Sequence, residues 1–239
     1  PSGVVHCVDA RSFDDLSLAA FDANPSASIR TLTAADTPTS GLVGRQIGGR
    51  FEGIDNAHNL WYSKDGRKMF VTEWHGSNFW TIDRMTNTNL GASFVFSGAD
   101  VTHVMTTLPA ENVGVLTLEG GPSGGLGIFD PATSAVTQVH LFSPLDHPHG
   151  PWISCTGAGN GGGIMIWPAP MSNRIGFTNL PGTPTGPVNE RTIVPSPGIY
   201  PVATGARSDC TKAYTSNAVS GTITVNDIQS GESVHVIDL

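Results

Sequence analysis

One arrangement of short strands and turns recurs along most of this chain, and it restricts the fold more than any other feature. A first strand begins at His58-Asn59-Leu60-Trp61-Tyr62, and the chain turns at Lys64-Asp65-Gly66-Arg67. A second strand covers residues 68–72, a polar loop covers 74–78, and a third strand ends on Asp83. Asp-Gly between alternating apolar runs is a hairpin signal, because glycine accepts the positive φ of a tight turn. A fourth strand is expected over residues 92–96.

The pattern returns three times. The second copy has strands at 103–107, 113–118, 126–130 and 136–142, with a glycine-rich loop at 120–125. The third starts at His149, with strands at 164–167 and 174–177. The last starts near Tyr200 and continues through 213–217, 221–227 and 233–237. Asp83, Asp130 and Asp227 close third strands at a period of 47 to 49 residues, with Thr178-Asn179 in the intermediate place. Four short strands per period of roughly 40–50 residues predict a β-propeller. The expected class is therefore all-β, with four-stranded antiparallel blades, about four and a half to five of them in this chain.

The boundaries follow as one propeller domain: a partial blade at 1–23, an irregular insertion or connection at 24–54, and blades at 55–98, 99–145, 146–195 and 196–239. Residues 4–10 and 16–21 read as the third and fourth strands of a blade that lacks its first two. Such an edge offers unpaired N–H and C=O groups. It is expected to be covered by a protein partner or second chain completing the ring, by further sequence, or by residues 24–54 folded back.

Composition excludes several functions. Only 13% of the residues are charged and the net charge is -8, which fits turn-rich β structure and lacks the basic footprint that nucleic acid requires. No apolar run approaches the ~18 residues of a membrane span. Cys7, Cys155 and Cys210 form no Cys-x-x-Cys. They read as small buried hydrophobes, with a disulfide between two of them left open. Gly121-Pro122-Ser123-Gly124-Gly125 matches Gly-x-Ser-x-Gly, but it sits in a strand-to-strand loop, where a nucleophile elbow does not form.

The constellation that carries chemistry is Asp-x-x-His at blade period: Asp55–His58, Asp100–His103 and Asp146–His149, with the histidines 45 and 46 residues apart. Each histidine opens an innermost strand, and the innermost strands of a propeller surround its axis. Equivalent positions therefore converge on one mouth. His75, in a loop between second and third strands, falls on the same face. Converging imidazoles hold transition metals, and a carboxylate or carbonyl commonly fixes the other ring nitrogen. His58, His103, His149 and His75 are the candidate metal ligands, for copper ahead of zinc or iron, with the three aspartates as candidate supports. The competing reading is that each Asp caps a loop and each His fills the channel mouth. Glu73 and Glu119, at the ends of second strands, read either as structural groups or as oxygen ligands. Trp74 and Trp167 read as blade packing or as pocket walls. His6, His140, His147 and His235 read as surface residues, with His147 near the face.

Two resemblances add to this reading. Ala213-Tyr214-Thr215-Ser216-Asn217 with Gly221-Thr222-Ile223-Thr224-Val225-Asn226-Asp227, and likewise Met69-Phe70-Val71-Thr72 with Thr81-Ile82-Asp83, resemble the YVTN family of propeller repeats over residues 57–239. That resemblance implies the fold and a periplasmic or extracellular location; it implies no particular activity. Asp55-Asn56-Ala57-His58 with Asp65-Gly66-Arg67-Lys68-Met69-Phe70 is similar to the propeller of nitrous oxide reductase, whose histidines hold a copper-sulfide cluster. That cluster takes seven histidines, and Asn59 stands where the family places a second one. The resemblance implies imidazole ligation of copper and not that activity. The function expected is an exported metalloprotein, and an oxidoreductase if the metal is redox-active. The alternative is a propeller used as a rigid binding or assembly module.

Overall fold

The computed structural model describes residues 5–6, 50–51, 54, 57–86, 88–107, 112–120, 124–155 and 161–239. Among them there is no helix. Four antiparallel four-stranded sheets follow one another along the chain. The first blade is β3 (Ala57–Tyr62), β4 (Lys68–Glu73), β5 (Asn78–Asp83) and β6 (Thr88–Phe94). The second is β7 (Asp100–Thr106), β8 (Gly114–Glu119), β9 (Gly125–Phe129) and β10 (Val136–Leu141). The third is β11 (Trp152–Ser154), β12 (Gly161–Ala169), β13 (Arg174–Pro181) and β14 (Asn189–Pro195). The fourth is β15 (Pro201–Ala206), β16 (Lys212–Asn217), β17 (Thr222–Asp227) and β18 (Ser233–Asp238). The predicted propeller of four-stranded antiparallel blades is the fold.

Burial explains the sequence patterns. Middle strands are covered on both faces by neighbouring sheets and therefore read as apolar runs, such as Met69-Phe70-Val71 and Ile164-Met165-Ile166-Trp167. The outer strand β6 alternates half-buried and exposed residues, and β18 is exposed throughout. The cores lie between blades. Phe70 and Phe79 of the first blade pack with Val104, Leu116 and Phe129 of the second. Leu126 and Ile128 meet Met165 and Trp167 across the next boundary. Ile166 and Phe177 meet Ala213 and Ile228 across the last.

Polar bonds then fix how the inner strands align. The Thr72 hydroxyl donates to the Thr102 carbonyl at 2.6 Å. The Val104 amide donates to Asn59 Oδ1 at 3.0 Å, and the Trp61 indole to the Thr106 hydroxyl at 3.0 Å. One boundary on, the Thr204 amide donates to the Gly150 carbonyl at 2.9 Å.

Three details differ from the sequence reading. The innermost strand of the third blade is only three residues long, so His149 precedes it. That blade also has a fourth strand, β14, which hydrophobic pattern alone did not reveal; its residues are half-buried or exposed. At the chain's start, β1 (Val5–His6) pairs antiparallel with β2 (Arg50–Phe51) in a two-stranded sheet. Apart from Ile54, which is buried against Met69, Val71 and Ile82 of the first blade, the rest of the expected partial blade and insertion lies outside the described residues. Val5–His6 is therefore met by part of the 24–54 stretch.

Gly176 shows how tight the boundary layers are. A Cβ built there would lie 2.1 Å from two atoms of the fully buried Trp167 indole. Gly176→Ala is expected to cost about 1–3 kcal/mol by overpacking. Gly205→Ala, with nothing within 4 Å of the added carbon, is expected to stay within about 0.5 kcal/mol. Urea denaturation of the two variants checks this, and equal losses would contradict the packing described.

Candidate metal centre

His58 is the second residue of β3, His103 the fourth of β7, and His149 lies three residues before β11. Backbone irregularity positions two of them. β3 shifts register between Ala57 and Leu60, and β7 between Val101 and His103. Such bulges increase local twist and re-aim side chains. His149 is held differently: its amide donates to the Pro168 carbonyl of β12 at 2.9 Å, while the next carbonyl takes the bond from β15.

The three rings meet. Ring centroids are 4.9 Å apart for His58–His103, 4.6 Å for His103–His149 and 6.1 Å for His58–His149. One ligand-capable nitrogen from each lies within 4.8 Å of the other two. Among the described residues this is the one such cluster of His, Cys, Asp or Glu. Trp74 stands over it edge-on, 4.4 Å from the His58 ring and 5.9 Å from that of His149. The loop carrying Trp74 is fastened by the Val101 amide, which donates to the Gly76 carbonyl at 2.8 Å.

Hydrogen bonds orient two of the rings, and on His149 they leave a lone pair free. His149 Nδ1 lies 2.9 Å from the Val202 carbonyl; a carbonyl only accepts, so Nδ1 carries the proton and Nε2 is the free donor atom. His103 Nδ1 lies 3.2 Å from the Thr102 hydroxyl. A hydroxyl can donate or accept, so this contact fixes the orientation of the His103 ring. Thr117 completes the chain, 3.0 Å from the Thr102 hydroxyl and accepting the His103 amide at 3.0 Å.

Glu119 belongs to the same place. Its Oε2 is buried, accepts no hydrogen bond among the described groups, and lies 3.7 Å from His149 Nε2. A buried carboxylate oxygen without a donor is costly, and a cation shared with the imidazoles would satisfy it. Burial pushes the Glu119 carboxyl up. Burial, then the neighbouring His149 ring, lowers His58. Burial, then the His149 and His58 rings, brings His103 down to about 3. The last two rings are thus neutral at physiological pH, the form that binds metal. In a tetrahedral site with metal–nitrogen distances near 2.0–2.1 Å, donor nitrogens stand roughly 3.3–3.5 Å apart. The rings need only close inward, so the residues present fit such a group.

Of the four histidines predicted, the structure brings three together. His75, at φ 65°, has Nδ1 3.1 Å from Asp100 Oδ2 and its side chain 69% exposed, outside the cluster. Two of the aspartates, Asp100 and Asp146, do not play the role considered for them. Asp100 bonds His75 and not His103. Asp146, fully buried, takes Arg174 at 3.0 Å and Ser172 at 2.9 Å and leaves His149 alone. Asp55 lies outside the described residues. The supports are instead the Val202 carbonyl and the Thr102 hydroxyl, which the sequence reading missed; a backbone carbonyl has no sequence signal. Glu73 is structural, accepting from the Trp80 indole at 2.5 Å. His147 Nε2 is 2.9 Å from the Pro144 carbonyl. Trp167 is buried blade packing, stacked on Phe142 at 4.4 Å.

The fold and site together define a β-propeller protein with a three-histidine cluster at one mouth of its axis. No protein-family model and no curated protein sequence matches the chain. Among solved structures it is similar to a functionally unknown protein from Desulfotomaculum acetoxidans, at 14% identity and TM-score 0.62 over 82% of this chain and 61% of that one. It is similar to a putative 6-phosphogluconolactonase from Bacteroides uniformis, at 16% identity and TM-score 0.60 over 80% and 61%. A periplasmic gluconolactonase from Pseudomonas aeruginosa matches at 15% identity and TM-score 0.61 over 81% and 61%. The chain thus spans about 61% of the length of each. At these identities the likeness shows the fold alone.

The burial of His103 makes a pH prediction for metal-free protein. Unfolded, the ring takes a proton near 6.5; folded, only near about 3. Between those values the unfolded chain holds the extra proton, so acid favours unfolding. Stability is expected to fall as pH drops from about 6.5 toward 3, and His103→Gln to make the decline shallower. Denaturation series at several pH values measure this; identical profiles for both proteins would contradict it.

Proposed function

We propose that this chain is a propeller metalloprotein whose His58, His103 and His149, with Glu119 as a fourth donor, hold one transition-metal ion. The observation that carries the reading is the convergence of three imidazole nitrogens within 4.8 Å beside an unsatisfied carboxylate oxygen. Copper is favoured over zinc or iron, because affinity of imidazole sites rises to copper along the divalent series. When bound, copper supplies one-electron redox and Lewis-acid chemistry, which makes a metal-dependent oxidoreductase the enzymatic form of this proposal. The chain's own contribution is orientation and access. The Val202 carbonyl and Thr102 hydroxyl hold two rings, Trp74 walls one side, and the exposed His58 opens the site to solvent. Export to the periplasm or beyond is part of the proposal; the repeat resemblance supports it, and one structural neighbour is named a periplasmic gluconolactonase.

A binding or assembly module, with a partner chain completing the ring, is the second reading. It is favoured by β18, exposed at every residue, where Val234, Val236 and Ile237 lie. No helix among the described residues is long and apolar enough to cross a membrane.

Metal analysis of tag-free protein separates the two. One copper per chain is expected, lost in His103→Ala, retained in His75→Ala, and bound at least about tenfold more weakly in Glu119→Gln. Wild-type protein without bound metal after copper loading and dialysis, or His103→Ala with undiminished metal, would overturn the metal reading in favour of the module.

A further inference from the structure

At the opposite end of the inner strands, two cysteines face each other across the boundary between the third and fourth blades. Cys155 directly follows β11, and Cys210 sits in the turn between β15 and β16. Cys155 Sγ lies 3.9 Å from the Cys210 carbonyl. The Ser154 hydroxyl is 3.6 Å from one sulfur and 3.8 Å from the other. Both residues hold left-handed backbone, with φ of 55° and 62°. Glycine or asparagine takes that conformation at less cost, so two cysteines placed there, both half-buried and free thiols in this structure, call for a reason that lies in their sulfurs.

We infer that Cys155 and Cys210 form a disulfide that joins the third and fourth blades. The oxidant is a small-molecule or protein disulfide of an oxidising compartment. One cysteine thiolate attacks it and releases a first thiol; the other attacks the resulting mixed disulfide and releases the second. Two thiols lose two protons and two electrons, and the oxidant gains them. The bond closes a loop of more than fifty residues and so restricts the unfolded chain. It also ties β11 to β15, the strands on either side of the Gly150–Thr204 bond that steadies His149. The inference does not depend on the metal.

Burial first, then Cys210, pushes the Cys155 thiol up to about 11, so exchange in native protein is slow at neutral pH. The test therefore refolds reduced, denatured, metal-free protein in a glutathione redox buffer, alkylates free thiols and maps the peptides. The expected result is a Cys155–Cys210 cross-link, with a thermal midpoint that drops by roughly 5–10 °C when reductant is added. Where refolding fails, native protein held with oxidised glutathione at pH 8.5 gives the same map. Alkylated Cys155 and Cys210 in that map, or a cross-link through Cys7, would overturn the inference.

Discussion

Everything at the axis depends on how the inner strands are fastened across blade boundaries. The apolar layers between sheets supply most of the favourable burial, but they are not directional and tolerate sliding. The hydrogen bonds from Thr72 to Thr102 and from Val104 to Asn59 do not. Each contributes only about 1 kcal/mol net, so they set register more than they drive folding. A slip of one residue would move His103 by about 3.3 Å and turn it to the other face. The imidazole cluster therefore follows from two threonines and an asparagine that are not part of it.

The cluster itself is an electrostatic compromise. Three imidazoles share a half-buried mouth, where burial first and neighbouring rings second oppose charge on His58 and His103. Beside them a carboxylate has lost water without gaining a donor for one of its oxygens. Either feature alone destabilises the fold, and stable folds tend to break such local rules at functional sites. A bound cation would resolve both together: it takes the lone pairs of neutral imidazoles and neutralises Glu119.

What could be read from the sequence divides along physical lines. The period of strand-ending residues and the apolar middle strands made the blades legible, because a strand buried on both faces must be apolar. The histidines were legible because equivalent places in successive blades converge. Their supports were not. The aspartate in Asp-x-x-His reads as a partner for its own histidine, yet Asp146 is drawn to Arg174 and Asp100 to His75. Those choices rest on which side chains the fold brings within reach, and spacing along the chain does not show that. Val202 acts through a carbonyl, which any residue would offer, and β14 escaped because an outer strand needs no apolar run.

The central claim, that His58, His103 and His149 form one metal centre, is tested most directly by anomalous diffraction at the copper edge from crystals of copper-loaded protein. One strong peak, about 2.0–2.1 Å from a nitrogen of each of the three histidines, is the predicted result. A peak at His75 or elsewhere with none at the cluster would contradict it.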